Sequence, residues 1–492
     1  MRDSEDNLNN QIVILSDSRR IFNEKKRSAK RQTHKTTDHL SKSWLSNLRS
    51  SAGFQKYLQN ISWLMGGKLL QMAISFLVTA YVARYLQDQA FGTLNYSKAI
   101  IQFVFIFVGL GLQSINVRNL VNSPEQRGEI LGTALVARLL IGLILAGLVV
   151  GGTWLLPESI HDSLTNSLIL VMAVSAIFRT MDTFEEFFQA EVKSQYAVWS
   201  RSLSTIVFAG IQLYLIYIKA ELIWFGVAFS IRNAINGIAY FVLYVRYYGW
   251  PQGLHWEAGY FRQLMLDAWP MIFSGMVIFL YMRADQMMLM HLIPGSDEMA
   301  KAAVGQYSAA LRLSEVWFVF GPIVAGGLFP AILSARKQGI KIYEHRLKRY
   351  FSLMVALAFA ISIPTALFGP TVLVWDWLFG PDYAEAAEVL VLHCWTLVFV
   401  FLGNASSNYL VAENLQRITL YRTLLGAVLN ISLNWWLIPT WGIKGAAIAT
   451  LISQAFASYL SYAFHPRTRR LFRMMSGAFL LQALFQSKLS TS

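Results

Sequence analysis

The sequence predicts an all-α integral membrane protein with about twelve transmembrane helices in two six-helix lobes. Of its 492 residues, 55% are hydrophobic and only 14% are charged, against roughly 45–50% and about 25% in soluble domains. Apolar stretches of the roughly 20 residues that a spanning helix needs follow one another from Tyr57 to His465. These features exclude a water-soluble protein. A weak internal repeat indicates the two lobes.

Polar or turn-rich breaks divide the apolar body into twelve predicted helical segments. Their approximate bounds are 57–83, 96–117, 129–156, 164–183, 196–218, 222–246, 267–290, 304–333, 350–374, 386–411, 418–438 and 442–465. The eighth segment is long enough to tilt or kink, and Pro322 and Pro330 supply a cause. The single cysteine, Cys394, excludes an intrachain disulfide framework.

These segments divide the chain into five regions. Their bounds are 1–56 for a basic tail, 57–246 for the first lobe, 247–266 for a cytoplasmic linker, 267–466 for the second lobe and 467–492 for a C-terminal tail. The basic tail holds 12 of the 42 Lys and Arg residues. We expect it to be disordered and cytosolic and to contact anionic lipid rather than nucleic acid. In the C-terminal tail, the apolar stretch 474–485 is too short to span and predicts an interfacial helix.

The distribution of Lys and Arg predicts the orientation of the chain. With the amino terminus inside, the inner side collects 32 Lys and Arg residues, whereas the outer connections and helix ends hold five, beside ten acids. Arg84 and Lys98 are two of those five outer residues. Because Lys and Arg gather in cytoplasmic loops, both termini are predicted to be cytoplasmic.

The two halves of the chain repeat a short pattern. Tyr81-Val-Ala-Arg84, followed by Phe91-Gly92 and Tyr96-Ser97, resembles Tyr281-Met-Arg283, followed by Val304-Gly305 and Tyr307-Ser308. Both copies end the first helix of a six-helix block and begin the second. Blocks with an even number of helices have the same orientation, so we expect a substrate path in a central cavity between the two lobes.

Motifs of soluble enzymes are missing from the sequence. It contains no G-x-x-x-x-G-K-[ST] loop, no H-E-x-x-H and no G-x-S-x-G, and its eight histidines form no cluster with ligand spacing. The predicted outer loops are also short for an enzyme that acts on a sugar donor. We therefore predict a transporter without catalytic residues, a metal site or a cofactor.

Charged residues inside the predicted helices are the main candidates for function. The deep cations are Lys68, Arg138, Arg232, Arg283 and Arg312, and the acids that oppose them are Asp285 and Glu315. At about 2.5–3.5 kcal/mol per charge, five unpaired cations would cost on the order of 12–17 kcal/mol. They predict a watery cavity with excess positive charge, which suits an anion. The alternative is that some reach an interface or bond to helix carbonyls.

The spacing of these charges restricts how they pair. Arg283 and Asp285 are two residues apart, roughly 200° around a helix, so each needs a partner on another helix. Arg312 and Glu315 are three apart and could pair locally. The other interpretation is a cluster between the seventh and eighth helices that makes and breaks ion pairs during transport. Asp285 and Glu315 are then candidates for a protonation or cation-coupling step.

Several short strings along residues 57–475 resemble those of a known family. They include Tyr81-Val-Ala-Arg-Tyr-Leu86, Gly109-Leu-Gly-Leu112, Phe188-Gln-Ala190, Trp269-Pro270, Tyr281-Met-Arg-Ala-Asp-Gln286, Phe329-Pro-Ala331 and Ala412-Glu-Asn414. These strings resemble those of bacterial Wzx-type oligosaccharide flippases of the MATE-like exporter superfamily. Gln113 stands where related sequences often carry an acid, so a coupling role at that position does not transfer.

The resemblance implies a flippase of the plasma membrane of bacteria. Its substrate would be an undecaprenyl-pyrophosphate-linked oligosaccharide, moved to the outer leaflet by alternating access for O-antigen, capsule or exopolysaccharide synthesis. The predicted headgroup-binding residues are Lys68, Arg138, Arg232, Arg283 and Arg312, with Arg84 near the outer mouth. The resemblance leaves open whether protons or sodium ions drive transport and whether a polysaccharide polymerase or assembly protein binds the chain.

Two other functions remain open from the sequence. One is a cation-coupled multidrug antiporter of the same superfamily, whose cavity should be net acidic. The other is an integral polysaccharide polymerase or ligase. Deletion of the protein distinguishes them from a flippase, because only loss of a flippase leaves the lipid-linked oligosaccharide on the cytoplasmic leaflet.

Overall fold

The computed structural model describes residues 52–109, 111–155, 162–251, 253–336, 338–413 and 415–481. The chain separates into two units, Met1–Met65 and Gly66–Ser492. In the first unit, the described residues begin at Ala52 and are helical. The predicted disorder of the basic tail is therefore wrong at 52–56, which are helical. The rest of the tail, 1–51, lies outside the described residues.

The described residues form helices and turns without a strand, which confirms the all-α prediction. The helices of the first half are α1 (Ala52–Gly109), α2 (Gln113–Asn122), α3 (Arg127–Leu155), α4 (Ser163–Ala173), α5 (Ser175–Phe178), α6 (Asp182–Ala190), α7 (Ser194–Tyr217) and α8 (Leu222–Tyr248). Those of the second half are α9 (Ala258–Leu292), α10 (Asp297–Glu315), α11 (Phe320–Arg336), α12 (Ile340–Leu373), α13 (Ala384–His393), α14 (Thr396–Ala412), α15 (Gln416–Ala455), α16 (Ser461–Phe464) and α17 (Arg469–Phe479).

The number of membrane spans is tested by helix length and hydropathy. Eight helices in the described residues are long and apolar enough to cross a membrane, or nine if the bent pair α13 and α14 is one span. Two of these spans contain a backbone break, at Gln87 in α1 and at Gly442 in α15, where φ is 59° and 57°. Gln87 lies between the first and second predicted segments, and Gly442 is the first residue of the twelfth. The figure of twelve helices stays a prediction.

The eighth predicted segment is interrupted by a 3₁₀ turn. Helix α10 ends at Glu315, a 3₁₀ turn follows at Val316–Val319, and α11 continues to Arg336. Pro322 lies in the first turn of α11, where a proline lacks the amide hydrogen that would extend the preceding helix. The prolines thus accompany a 3₁₀ interruption of the helix, and a kink there stays a prediction.

Local sequence explains where α10 begins. The hydroxyl of Ser296 accepts a hydrogen bond from the backbone amide of Met299 (3.3 Å), as an N-cap residue does. Asp297 and Glu298 follow in the first turn, where negative charge is favourable against the helix dipole. This start positions the helix that carries Arg312 and Glu315.

Two ends of the helical bundle are defined by contacts between distant parts of the chain. One end holds the backbone break at Gln87, and we call it the Gln87 face. There the Nζ atom of Lys301 lies 2.9 Å from Asp162 Oδ2. At the other end, the Tyr260 face, Asn119 Nδ2 donates to the Tyr260 hydroxyl (2.9 Å). The Gln87 face carries the connections predicted to be outer, and the Tyr260 face carries those predicted to be inner.

The C-terminal helix α17 packs against the second half of the protein. Its residues Leu471 and Met475 are fully buried, and Arg470 forms an ion pair with Glu344 of α12. The interfacial position predicted for residues 474–485 stays a prediction, and residues 482–492 lie outside the described residues.

Candidate functional site

Two glycines bring the halves into contact at the Gln87 face. A methyl group at Gly92 would lie 1.8 Å from the carbonyl oxygen of Lys301, and one at Gly305 would lie 2.0 Å from that of Asp88. The contacts are reciprocal, because Lys301 and Asp88 each precede the other glycine by four residues. The second helices of the two predicted blocks therefore cross backbone to backbone, at the positions that the internal repeat matches.

A polar cavity lies within the first half, away from this crossing. Its volume is about 510 Å³. The lining residues come from α1, the turn before α6, α7 and α8, and they are Gln71, Gln102, Phe105, Ile106, Arg179, Arg201, Ser204, Phe229, Arg232, Asn233 and Asn236. We call this space the amide cavity, because four of its lining side chains are amides.

A second cavity of about 320 Å³ adjoins the first and shares Phe105, Ile106, Arg179, Arg201 and Asn236 with it. It extends to Arg138 of α3, to the acids of α6, and to Met271, Ile272 and Gly275 of α9 in the second half. The predicted central cavity is therefore present, although most of its lining comes from the first half.

Arg138, one of the predicted headgroup-binding residues, is paired with an acid. Its guanidinium forms an ion pair with Glu186, and the two side chains are only 2% and 3% exposed. Arg138 Nη1 also donates to Thr183 Oγ1 (2.8 Å), and Asn116 Nδ2 donates to Glu186 (2.8 Å). Since its charge is neutralised and both of its Nη atoms donate hydrogen bonds, this geometry is typical of a structural ion pair.

The acids of α6 also pair with the other arginines of the second cavity. Arg201 contacts Glu185, which accepts a second hydrogen bond from the hydroxyl of Tyr240 (2.8 Å). Arg179 lies 2.9 Å from Asp182. The expectation that only Asp285 and Glu315 oppose the deep cations is therefore wrong, and the second cavity is nearly balanced in charge.

Arg283 is paired across two helices. Its Nη1 and Nη2 atoms donate to the two carboxylate oxygens of Glu315 at 3.1 and 3.0 Å, the bidentate geometry that arginine favours. The expectation that Arg283 and Asp285 each need a partner on another helix is confirmed. Glu315 pairs with Arg283 rather than with Arg312, so the interhelical cluster forms instead of the local pair.

Asp285 lies in a buried polar cluster of the second half. Its side chain accepts from the hydroxyls of Tyr307 and Thr450, the latter at 3.3 Å, and Asn430 Nδ2 lies 3.3 Å from the same threonine oxygen. A cavity of about 20 Å³ is lined by both Asp285 and Glu315. That volume has room for about one water molecule.

We call three cations that form no ion pair with a carboxylate among the described residues the cation cluster. They are Lys98 of α1, Arg232 of α8 and Arg312 of α10. Lys98 lies within electrostatic range of Arg312 and Arg232. Arg232 lies 3.5 Å from Thr205 Oγ1 and 5.2 Å from the centre of the Phe208 ring. Because Arg312 belongs to the second half, the cluster bridges the two halves with uncompensated positive charge.

The sequence placed Lys98 at an outer helix end, and this was wrong. The second predicted segment began at residue 96, because polar residues precede it. In the structure, α1 is helical from just after Gln87 to Gly109, so Lys98 lies near the middle of that stretch. The polar residues Asn95 and Ser97 just before it made this part of the helix resemble the end of a segment.

Two other predicted headgroup-binding residues lie apart from this cluster. The guanidinium of Arg84 donates to the backbone carbonyl of Asp376 at the Gln87 face. Lys68 is exposed on α1 and lines neither of the two cavities. Their roles in binding stay predictions.

No group of three or more His, Cys, Asp or Glu side chains is arranged to bind a metal ion within the described ranges. The functional features of the site are thus a polar cavity, a set of paired charges and a cluster of unpaired cations. Helical halves around such a cavity are typical of a membrane transporter.

Comparison with protein families shows the family to which the chain belongs. Residues 57–335 match the family described as polysaccharide biosynthesis protein, and residues 270–436 match the MatE family. The first match covers more than half of the chain. The chain therefore belongs to the polysaccharide biosynthesis protein family, and the resemblance seen in its sequence is confirmed.

Two curated proteins are similar in sequence. The capsular polysaccharide biosynthesis protein CapF of Staphylococcus aureus is 20% identical over 83% of this chain and 99% of its own length. The probable low-salt glycan biosynthesis flippase Agl15 of Haloferax volcanii is 27% identical over 33% of this chain and 34% of its own.

Solved structures share the fold. The lipid II flippase MurJ in an inward closed conformation aligns with a TM-score of 0.64 at 14% identity, covering 88% of this chain and 94% of that one. An outward-facing multidrug resistance MATE transporter aligns with a TM-score of 0.58 at 14% identity, covering 89% and 99%. The MATE-like fold is confirmed.

Proposed function

We propose that this chain is a flippase that moves an undecaprenyl-pyrophosphate-linked oligosaccharide from the cytoplasmic to the outer leaflet of a bacterial plasma membrane. It would serve the synthesis of a surface polysaccharide. Family membership and the likeness to CapF and Agl15 support the saccharide class. The MATE-like fold supports transport by alternating access.

The cation cluster is the observation that carries this proposal. A pyrophosphate diester brings about two negative charges into the membrane, where unpaired charge is costly. Lys98, Arg232 and Arg312 come from both halves and form no ion pair among the described residues, because the nearby Glu315 is paired with Arg283, so they can share such an anion. Charge-assisted hydrogen bonds to phosphate are about twice as strong as neutral ones.

We propose that the Gln87 face is the outer face and that both termini are cytoplasmic. This orientation follows from the Lys and Arg distribution. The crossing of Gly92 and Gly305 would then close the outer side in this state. Release of the headgroup outward requires the two helices to separate at that crossing, while the polyprenyl tail stays in lipid.

We propose that Asp285 and Glu315 couple transport to an ion. Both line the same small cavity, and Glu315 also holds Arg283, one helix away. Arrival of a proton or a cation at this cavity would weaken the Glu315–Arg283 pair. That change would reach the cation cluster directly, because Arg283 and Glu315 both act on the charge of Arg312.

The proposal is tested by the leaflet on which lipid-linked oligosaccharide accumulates. Cells that lack the chain should hold it on the cytoplasmic leaflet, and wild-type protein should restore outward movement. We expect the double variant Lys98→Met and Arg312→Gln to lower that movement at least about tenfold, because two charge-assisted contacts are lost. Lys444→Met is the matched control, since Lys444 pairs with Glu388 at the exposed Gln87 face.

Normal movement by the double variant would contradict the assignment of the headgroup site. Accumulation of unpolymerised units on the outer leaflet of deleted cells would instead indicate a polymerase or ligase. A multidrug antiporter would leave the leaflet distribution unchanged in both strains.

A further inference from the structure

The amide cavity contains more hydrogen-bonding capacity than the protein uses. Gln71 Nε2 donates to Ser202 Oγ (3.2 Å), and Asn233 Nδ2 donates to the carbonyl oxygen of Phe229 (2.9 Å). The Oδ1 atom of Asn236 is buried without a hydrogen-bond partner among the described residues. An unsatisfied buried acceptor costs about 1–3 kcal/mol, so a polar guest is favoured beside Asn236.

The kind of free group indicates the kind of guest. Each amide offers one carbonyl acceptor and two hydrogens. A phosphate oxygen only accepts hydrogen bonds, so it cannot satisfy Asn236 Oδ1, whereas a hydroxyl both donates and accepts. A neutral ligand with many hydroxyls therefore fits the amide side chains of this cavity better than an anion does.

The cavity has a suitable size and a mixed wall. Its volume of about 510 Å³ lies within the range of about 300–1,000 Å³ that is usual for small-molecule sites. Phe105 and Phe229 line it together, with ring centres 6.2 Å apart and nearly parallel planes. Apolar ring faces beside amides suit saccharides, which carry C–H groups as well as hydroxyls.

The amides also stand in a fixed relation to the cation cluster. On α1, Gln102 follows Lys98 by four residues, and on α8, Asn236 follows Arg232 by four. Residues four apart share one face of a helix and are separated by roughly 6 Å along it. Both helices run away from the Gln87 face, so on each the amide lies one turn farther from that face than the cation.

We infer that the amide cavity is a saccharide subsite, in which Gln102, Asn233 and Asn236 hold the first sugars of the substrate while the cation cluster holds its pyrophosphate. This inference rests on the proposed function. It divides the substrate between two sets of residues: the cations recognise the anion that every substrate of this type carries, and the amides select the glycan.

Binding measurements on two probes test this division. The probes are the lipid-linked glycan extracted from cells that lack the chain, and undecaprenyl pyrophosphate without sugar. Each is titrated against the full chain in lipid nanodiscs. The variants are Asn233→Leu with Asn236→Leu, the single Gln102→Met and Lys98→Met. Asn404→Leu is the matched control, because Asn404 Nδ2 donates to the carbonyl of Val400 (3.0 Å) as Asn233 does to that of Phe229.

We expect the double amide variant to bind the lipid-linked glycan on the order of tenfold to a hundredfold more weakly, since two or more hydrogen bonds are lost. Its affinity for undecaprenyl pyrophosphate should stay within about twofold of wild type, because the cation cluster is unchanged. Lys98→Met should weaken both probes, and Asn404→Leu neither.

Equal losses for both probes, or no loss for either, in the double amide variant would overturn the subsite. Gln102→Met keeps the test decisive if the double variant does not fold, because Gln102 is exposed to the cavity and should be tolerated. If wild-type protein binds neither probe, or if no lipid-linked glycan accumulates in deleted cells, the proposed function itself fails. The two failures are thus distinguishable.

Discussion

The buried pair of Arg138 and Glu186 separates structural charge from substrate-binding charge. The sequence assigned Arg138 to the headgroup site, whereas the structure surrounds it with Glu186, Thr183 and the carbonyl of Gly109. If Arg138 is structural, removing both charges together should be tolerated and removing either one should not. The variants are Arg138→Met, Glu186→Leu and the combination of the two.

The magnitudes follow from burial. Both side chains are nearly inaccessible, at 2% and 3% exposed, and loss of one partner of a buried pair costs about 3–5 kcal/mol because the other charge is left unpaired. The double variant removes one positive and one negative charge, so no unpaired charge is left at this site. It leaves the amide of Asn116 without its acceptor, which costs about 1–3 kcal/mol. The double variant should thus be at least about 3 kcal/mol more stable than the sum of the single effects predicts.

The assay is a double-mutant cycle on the free energy of unfolding in detergent, read together with outward movement of lipid-linked glycan. Additive losses would refute the pairing, because independent residues show no coupling energy. A double variant that is stable but no longer moves substrate would refute the structural assignment, since it would mean that Arg138 contacts the headgroup after all.

Two further predictions concern the closing contact and the coupling site. Gly92→Ala should reduce outward movement several-fold, because the added methyl cannot fit against the Lys301 carbonyl. It should also increase the labelling, by water-soluble thiol reagents, of a cysteine introduced at the Gln87 face, since the chain's own Cys394 is buried. Gly147→Ala, with open space around it, should do neither. Asp285→Asn keeps the size of the side chain that Tyr307 and Thr450 contact but removes its charge, so transport should become insensitive to imposed proton and sodium gradients; an unchanged response would exclude Asp285 from coupling.

Helix positions were readable from the sequence, because hydropathy is a local property. Most of the described residues in the twelve segments are helical, although five segments, 96–117, 164–183, 304–333, 386–411 and 442–465, cross from one helix to another. The two breaks inside long helices were only implied. Gln87 takes a left-handed φ of 59°, which is unusual for a residue other than glycine, and nothing in the composition around it distinguishes a tight break from a loop.

The acids of α6 were missed for a related reason. The fourth predicted segment ended at residue 183, so Glu185 and Glu186 fell outside the predicted helices and were not considered as partners of the deep cations. Arg138, which neutralises Glu186, is 48 residues away from it in sequence. A buried acid can continue an apolar helix when a cation from another helix meets it, and that pairing is a property of the fold.

The internal repeat was the most informative signal that the sequence contained about the site. Gly92 and Gly305 were matched only as members of two similar strings, yet they form the reciprocal crossing of the halves. Small residues allow two helices to approach closely in a membrane. A glycine at the same place in each half of a repeat is therefore compatible with the symmetric contact that the structure shows, although the sequence analysis did not predict that contact.

The distribution of paired and unpaired cations is the physical argument for an anionic substrate. Arg138 and Arg283 each meet a glutamate, and Arg422, although buried, donates to Ser407 Oγ (2.6 Å) and to backbone carbonyls. Within the part of the chain that the structure describes, Lys98 and Arg312 have no such partner. On the insertion scale, three unpaired cations cost on the order of 7–10 kcal/mol. Apolar side chains would avoid that cost, so the cluster is stable in the membrane only where water or a bound anion offsets its charge.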